Sequence, residues 1–379
     1  VKKIAYLLIL CLLFGVMTTF VSCKENNGNT ADTSATAENS DSGNVGDSDS
    51  ETGGDSSSES SGDTDSSSTP ETGKSIDLYI IAGQSNATGH TKFDETVLAS
   101  LWKDYKVGSE NILYRGRAEY TNNVNTPQVS TGVNEVTMWT NAKAGQGKTT
   151  AHMGAEVGMA SVLSSSYYTG DKVCGIVKYA HGGTSIFNST SGENAANGNW
   201  VPPSYASAKG LKYEGLTGNL YRNLIDEVGY SIRILERNGY DDINIKGVFW
   251  MQGEADRGNP AEHKTALTCL INDIRNDLGE LVGEDLSDLA FMIGEISRTS
   301  GSAKAETVAT NEAFISMQRD VANTMDNVYA IASSAFEINW LEGGEDKNGQ
   351  DKWHWTTEHM FCIGELVAEC ILDNILKVK

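Results

Sequence analysis

Ser85 lies in IIAGQSNATGH, residues 80 to 90, where an apolar run gives out into a glycine, an amide, a serine and an asparagine. A serine hydroxyl is unreactive at its ordinary pKa and attacks a carbonyl only when a neighbouring base takes its proton. Taken alone, the position reads as the N-cap of a helix. Gly-Gln-Ser-Asn-Ala also departs from the Gly-x-Ser-x-Gly elbow, which disfavours an ordinary α/β-hydrolase. The base must come from His90, His152, His181, His263, His354 or His359. His354 stands out because it sits in DKWHWTTEHM, just before the last helical segment, with Asp351 three residues upstream. In a tight loop that spacing lets a carboxylate accept from one imidazole nitrogen and leaves the other free for the serine proton. His359, inside the amphipathic segment, reads as a packing residue.

Acyl transfer also needs donors for the developing oxyanion. YAHGGTSI ends one apolar run with Gly182 and Gly183, whose N–H groups can approach a ligand closely because no Cβ intervenes. FWMQGEAD ends another with Gln252, Gly253 and Glu254. Gln252 is a candidate amide donor, and Glu254 either orients His354 or braces its loop. Each glycine pair alone is a turn. The coincidence carries the argument: successive runs end in a serine, a diglycine and Gln-Gly-Glu, and Asp-x-x-His follows.

These groups must be positioned by the apolar segments IDLYIIAG (76–83), KVCGIVKYA (172–180), IKGVFWMQ (245–252), LAFMIGEIS (289–297) and NVYAIASS (327–334). Their near-continuous hydrophobicity predicts strands covered on both faces, as in a parallel sheet. Segments of helical spacing separate them. In GNLYRNLIDEVGYSIRILERNG, Leu220, Leu224, Val228, Ile232 and Leu235 share one face and Arg222, Asp226 and Arg233 lie off it. Alternating strand and helix predict an open doubly wound α/β sheet with its crevice outside the carboxyl ends of the strands. Stretches 90–148 and 184–218, rich in Gly, Asn and Thr, are too long for simple connections and are expected to wall that crevice.

The chain of 379 residues has 51 acidic and 29 basic side chains, a formal charge of −22. No basic stripe is present, so nothing points to nucleic acid. VKKIAYLLILCLLFGVMTTFVSCKENN reads as a secretory signal, and FVSC resembles a bacterial lipoprotein cleavage site. The expectation is a leader at 1–23 cleaved before Cys23, the lipid-bearing residue, with plain secretion and a retained transmembrane anchor as the alternatives. Residues 24–74, almost all Ser, Asp, Gly, Thr and Glu, are expected to form a disordered, self-repelling tether. Their acids lack the spacing of a calcium loop. Residues 75–379 are expected to form the folded domain of an exported protein, held to a membrane through its lipid on the surface or in the periplasm of a Gram-negative bacterium. Cys174, Cys269, Cys362 and Cys370 form no Cys-x-x-Cys pair, and Cys362 and Cys370, about 12 Å apart along one helix, cannot bridge to each other. Without His-Glu-x-x-His or similar spacing, no metal is expected.

AGQSNATG, KYAHGGTSI, WMQGEAD and DKWHW together resemble the blocks of the SGNH-type esterases grouped with sialate O-acetylesterases and with acetylxylan esterases of carbohydrate esterase family six, over residues 76 to 375. The resemblance implies a three-layer α/β/α sandwich around a central, mostly parallel five-stranded sheet of flavodoxin-like type. It also implies no cofactor and a serine esterase that removes acetyl groups from sugars through an acyl-enzyme. Ser85 would be the nucleophile and His354 the base, with Ser85 N–H, a Gly182 or Gly183 N–H and Gln252 as the oxyanion hole. Members of the family differ over which acid orients the base, so Asp351 is preferred and Glu254 kept open. Asn86 and Trp355 are the expected substrate contacts, and Trp139, Trp200 and Trp340 are further candidates for stacking on sugar rings. The chain departs from commoner forms at Ala87, where Met often follows Gly-Gln-Ser-Asn, and in HMGAE, where Gly-Pro-Glu is usual. Those departures spare the triad and bear on substrate. The expected partner is an acetylated carbohydrate, either a plant cell-wall polysaccharide such as xylan or sialic acid. The alternative is a surface glycan-binding protein that keeps the fold with little turnover.

Overall fold

A computed structural model describes residues 73–116, 139–187, 197–336, 338, 341–342, 345–346 and 351–378. The expected leader, Cys23, nearly all of the expected tether and Trp340 lie outside the described residues. Strands Lys74–Gly83 (β1), Ile112–Gly116 (β2), Thr140–Asn141 (β3), Cys174–Ala180 (β4), Tyr240–Met251 (β5), Ala290–Gly294 (β6) and Val328–Ile331 (β7) form a seven-stranded sheet in the order β3-β2-β4-β1-β5-β6-β7. Every neighbouring pair is parallel except β2–β3 at one edge. The chain leaves β1 in one direction, returns through β4 and then builds outward on the other side. The strand order therefore reverses at β1, and a crevice opens there.

The helices are Ser85–Thr88 (α1), Glu95–Leu101 (α2), Glu156–Ser166 (α3), Pro203–Ala208 (α4), Asn219–Arg237 (α5), Pro260–Val282 (α6), Ala305–Thr324 (α7) and Thr357–Cys370 (α8). Along β1, Ile76, Leu78 and Ile80 turn to a core shared with Leu224 of α5, Leu267 of α6 and Phe314 of α7. Tyr79 and Ile81 turn to the opposite core, with Leu98 of α2, Val157 of α3 and Phe361 of α8. That alternation follows from the two-residue period of a strand, and both faces are apolar because helices cover both. Each fully buried aliphatic side chain of this kind contributes roughly 1.5–3 kcal/mol. The result is the expected three-layer α/β/α sandwich.

Helix α8 seats on α3 by close backbone contact. A Cβ on Gly158 would lie 2.0 Å from Phe361 O, and one on Gly364 would lie 2.1 Å from Ala155 O. No larger residue fits at either place without separating the two helices.

The sheet has two strands more than the five expected. Both extra strands, β2 and β3, lie inside the stretch 90–148, expected to be irregular, as does α2; α4 lies inside 184–218. β2 is short and carries an arginine. It is nonetheless a buried strand because the Arg115 guanidinium donates to Glu227 Oε1 at 2.6 Å and to Ser231 Oγ at 2.9 Å. Among the described residues, Cys174, Cys269, Cys362 and Cys370 form no disulfide.

Candidate active site

Three motif-bearing strands end at one level. Gly83 is in register with Ala180 of β4 on one side and Met251 of β5 on the other. It has a φ of 135°, and a Cβ there would sit 2.2 Å from Met251 O, so only glycine lets the turn pass so close to β5. The turns are stitched together beyond it. Gln84 N donates to Met251 O at 2.9 Å, and His181 N donates to Gly83 O at 3.0 Å. Gln84 Oε1 accepts from Gly253 N and Ala255 N at 3.3 Å each. Ser85 opens the single turn α1 as its first helical residue, so its N–H has no intrahelical acceptor and is available to a ligand.

His354, the candidate base, is brought to Ser85's turn by hydrogen bonds between the segments 86–94 and 353–357. Asn86 Nδ2 donates to Trp353 O at 3.1 Å, and Thr91 Oγ1 to Trp355 O at 3.1 Å. Asp94 N donates to Thr357 Oγ1 at 2.8 Å. Between these ties the His354 ring packs at 4.8 Å from the ring of His90. Thr356 caps α8 by accepting from His359 N, which fixes where the loop ends and the helix begins. His354 Nδ1 lies 2.6 Å from Asp351 Oδ2, and Asp351 Oδ1 accepts from Trp353 N. With Nδ1 donating to that carboxylate, the lone pair of Nε2 is free to accept a proton.

Glu254 serves the same loop indirectly. Its Oε1 accepts from Asn86 Nδ2 at 2.7 Å, so Asn86 bridges Glu254 to the Trp353 carbonyl beside the base. The two acids are tuned in opposite directions. Burial pushes the Asp351 carboxyl up, but the hydrogen bond and charge of His354, with backbone N–H groups, outweigh it and hold it below its ordinary value. Burial dominates at Glu254 and raises it, against the lowering pull of its backbone, Asn86, His354 and Arg257.

A carboxyl whose folded pKa is raised favours folding below the ordinary carboxylate range and loses that contribution as pH rises through the raised value. Glu254→Gln is therefore expected to melt above the parent at about pH 8, with the gap closing toward about pH 4. Thermal melts across that range check the sign, and superimposable curves would contradict it.

Ser85, Gly182, Gly183, Glu254 and His354 line one cavity of about 570 Å³, together with Gln84, His90, Lys148, Arg257 and Trp353. Three expected contacts are corrected. Gln252 is 1% exposed, and its Nε2 donates to Thr184 O at 3.0 Å and Asp256 Oδ2 at 2.7 Å, so its amide is committed beneath the site and does not face the oxyanion. Asn86 is fully buried and acts as the bridge just described, out of reach of substrate. Trp355 is fully buried too, paired in a bridge with Ile338. Trp200 packs edge-on against Trp250 and Tyr179 in the core, and Trp139 packs against the same core. His359 stacks on Phe336. Among the described residues, no group of three or more His, Cys, Asp or Glu side chains could hold a metal ion.

The tryptophan at the mouth is Trp353, which the sequence reading passed over. The residue is 40% exposed, and its ring lies against Gly301 and carries the Arg257 guanidinium 4.9 Å from its centroid. Arg257 is held there by donating to Glu254 O at 2.7 Å. The WHW triplet is symmetric about His354, and only the bridge to Ile338 marks which indole turns inward.

A family model described as "Carbohydrate esterase, sialic acid-specific acetylesterase" matches residues 75–373. No curated protein matches the chain. Among solved structures it is similar to a protein from Arabidopsis thaliana, with a TM-score of 0.50, 18% identity and coverage of 79% of this chain and 99% of that one. A carbohydrate acetylesterase from Xanthomonas citri aligns with a TM-score of 0.47 and 17% identity over 79% of this chain and 56% of its own. NanS aligns with a TM-score of 0.48 and 15% identity over 79% of this chain and 98% of its own.

Proposed function

From the premise that the chain belongs to the sialic acid-specific acetylesterase family of carbohydrate esterases, whose chemistry is O-acetyl removal from carbohydrates, we propose a two-step serine esterase acting on acetylated acidic sugars. Ser85 attacks the acetyl carbonyl while His354 takes its proton, and the sugar oxygen leaves with that proton. Water, activated by the same imidazole, then releases acetate and restores the serine. The N–H groups of Ser85 and of Gly182 or Gly183 are the donors for the tetrahedral oxygen. The observation that carries this reading is the Asp351–His354 pair at 2.6 Å on the wall that Ser85 shares.

The acidic-sugar assignment rests on local charge. The cavity is lined by Lys148 and Arg257 against one acid, Glu254, with His90 and His181 beside them, in a chain of net charge −22. Lysine and arginine side chains facing a cleft attract anionic ligands, the more so where the rest of the protein is acidic. Trp353 offers exposed indole surface against which a sugar would pack, with the Arg257 guanidinium over the same ring for a carboxylate. The leader-like residues 1–23 and Cys23 support an exported, lipid-anchored enzyme that meets such glycans outside the cytoplasm.

Acetate release from O-acetyl sialosides, acetylated pectin and acetylxylan tests the reading. Turnover on the two acidic substrates is expected to exceed that on acetylxylan by about tenfold or more in kcat/KM, the worth of one partly desolvated charge contact. Trp353→Ala should raise KM for the sugar ester by roughly tenfold while leaving kcat on p-nitrophenyl acetate nearly unchanged. Preference for acetylxylan would overturn the acidic-sugar assignment and leave the esterase standing. Absence of acetate from every substrate would overturn both.

A further inference from the structure

Directly behind the cavity lies a second Ser, Asp and His set that no substrate can reach. Ser185 and Asp256 are each 2% exposed, and His263 is fully buried against Phe314. It is therefore no rival active site, and its geometry shows what it holds. Ser185 Oγ donates to Asp256 Oδ1 at 2.5 Å. Asp256 Oδ2 accepts from Ile186 N at 2.9 Å and Gln252 Nε2 at 2.7 Å, with His263 Nδ1 at 3.3 Å. Gln252 uses the same Nε2 to reach Thr184 O, and Thr184 Oγ1 donates to His181 O at 2.6 Å while accepting from Trp200 Nε1. Apart from His263, which belongs to α6, the side-chain contacts made by Asp256 converge, directly or through Gln252, on 184–186, the residues immediately after Gly182 and Gly183.

We propose that Asp256 is the positioning residue for the oxyanion-binding diglycine, acting through Thr184, Ser185 and Ile186. The proposal rests on the esterase reading above and deepens it. A glycine pair has little torsional preference of its own, and Gly183 stands at a φ of 70°. Its N–H vector must be imposed from outside. A single buried carboxylate can impose it because each of its oxygens accepts from the following loop, and a charged acceptor holds N–H and O–H donors about twice as strongly as a neutral one. An oxyanion donor misplaced by even 1 Å forfeits most of its effect on the transition state while leaving substrate binding alone.

The test compares Asp256→Ala, Asp256→Asn and the parent on p-nitrophenyl acetate, with active sites counted by a fluorophosphonate. A phenylboronic acid, whose tetrahedral serine adduct places an oxygen where the oxyanion forms, reports on the donors without turnover. Asp256→Ala is expected to lose about 10²-fold in kcat per counted site, with KM within about threefold and boronate affinity falling in parallel. Asp256→Asn, which keeps one oxygen for Ile186 N and Gln252, should recover to within about tenfold of the parent. If Asp256→Ala does not fold, Ser185→Ala removes one tie alone and should show the same pattern at about tenfold. Parent-like kcat per counted site, or a fall in kcat with unchanged boronate affinity, would overturn the assignment. A parent without turnover would instead count against the esterase reading itself.

Discussion

Ser85→Ala is expected to lower kcat for p-nitrophenyl acetate by roughly 10⁴-fold or more, His354→Ala by a similar factor, and the double variant no further. In the proposed mechanism the two side chains act as one unit, since an alcohol without its base and a base without its alcohol are equally idle. What survives is the contribution of the backbone donors and of binding. Alanine at position 85 keeps the helical turn, being the best helix former, so the variant should fold and still bind a sugar ester. Steady-state rates on each variant check the equality. Retention of more than about a tenth of parental kcat by Ser85→Ala would remove Ser85 from the chemistry.

The next largest effect is expected at Asp351. Asp351→Asn should cost about 10³- to 10⁴-fold in kcat, whereas Glu254→Gln should cost no more than about tenfold. The difference follows from contact. Asp351 touches His354 Nδ1 itself, at 2.6 Å, and fixes which nitrogen carries the proton. An asparagine can present its own N–H there and select the wrong tautomer. Glu254 reaches the base only through Asn86 and the Trp353 carbonyl, a path a neutral glutamine oxygen can maintain. Measured kcat values in the reverse order would transfer the orienting role to Glu254.

The sheet's central strands were legible because parallel strands covered on both faces must be apolar throughout, and the chemistry sits where such runs stop. β2 and β3 were not. Five and two residues are too few to show a pattern, and Arg115 hides its burial in an ion pair with a residue more than a hundred positions away. The positions of Ser85, Gly182, Gly183, Glu254, Asp351 and His354 in the chain pointed to one place because each lies at a strand end or before a helix. Gln252 went astray for a local reason: a polar side chain at a strand end is visible in sequence, but the direction of its amide is decided by the Thr184 carbonyl and the Asp256 carboxylate. Asn86 and Trp355 were misread in the same way, one turned under the loop and the other into the core. The role of Asp256 carries no local signal, since Ser185 and Ile186, which it holds, come from the turn after β4.

The glycine-to-glycine seat between α3 and α8 also bears on how activity appears during folding. The imidazole loop immediately precedes α8, and its tie to the nucleophile's turn joins residues 267 positions apart. Contacts of such separation are slow to form, because the intervening loop entropy is lost before they return anything. Helical content and a collapsed sheet can therefore precede catalysis, and a chain arrested before α8 docks would be folded over most of its length yet inert toward esters. On the proposed mechanism, turnover would be a late reporter of folding, registering the docking of one helix.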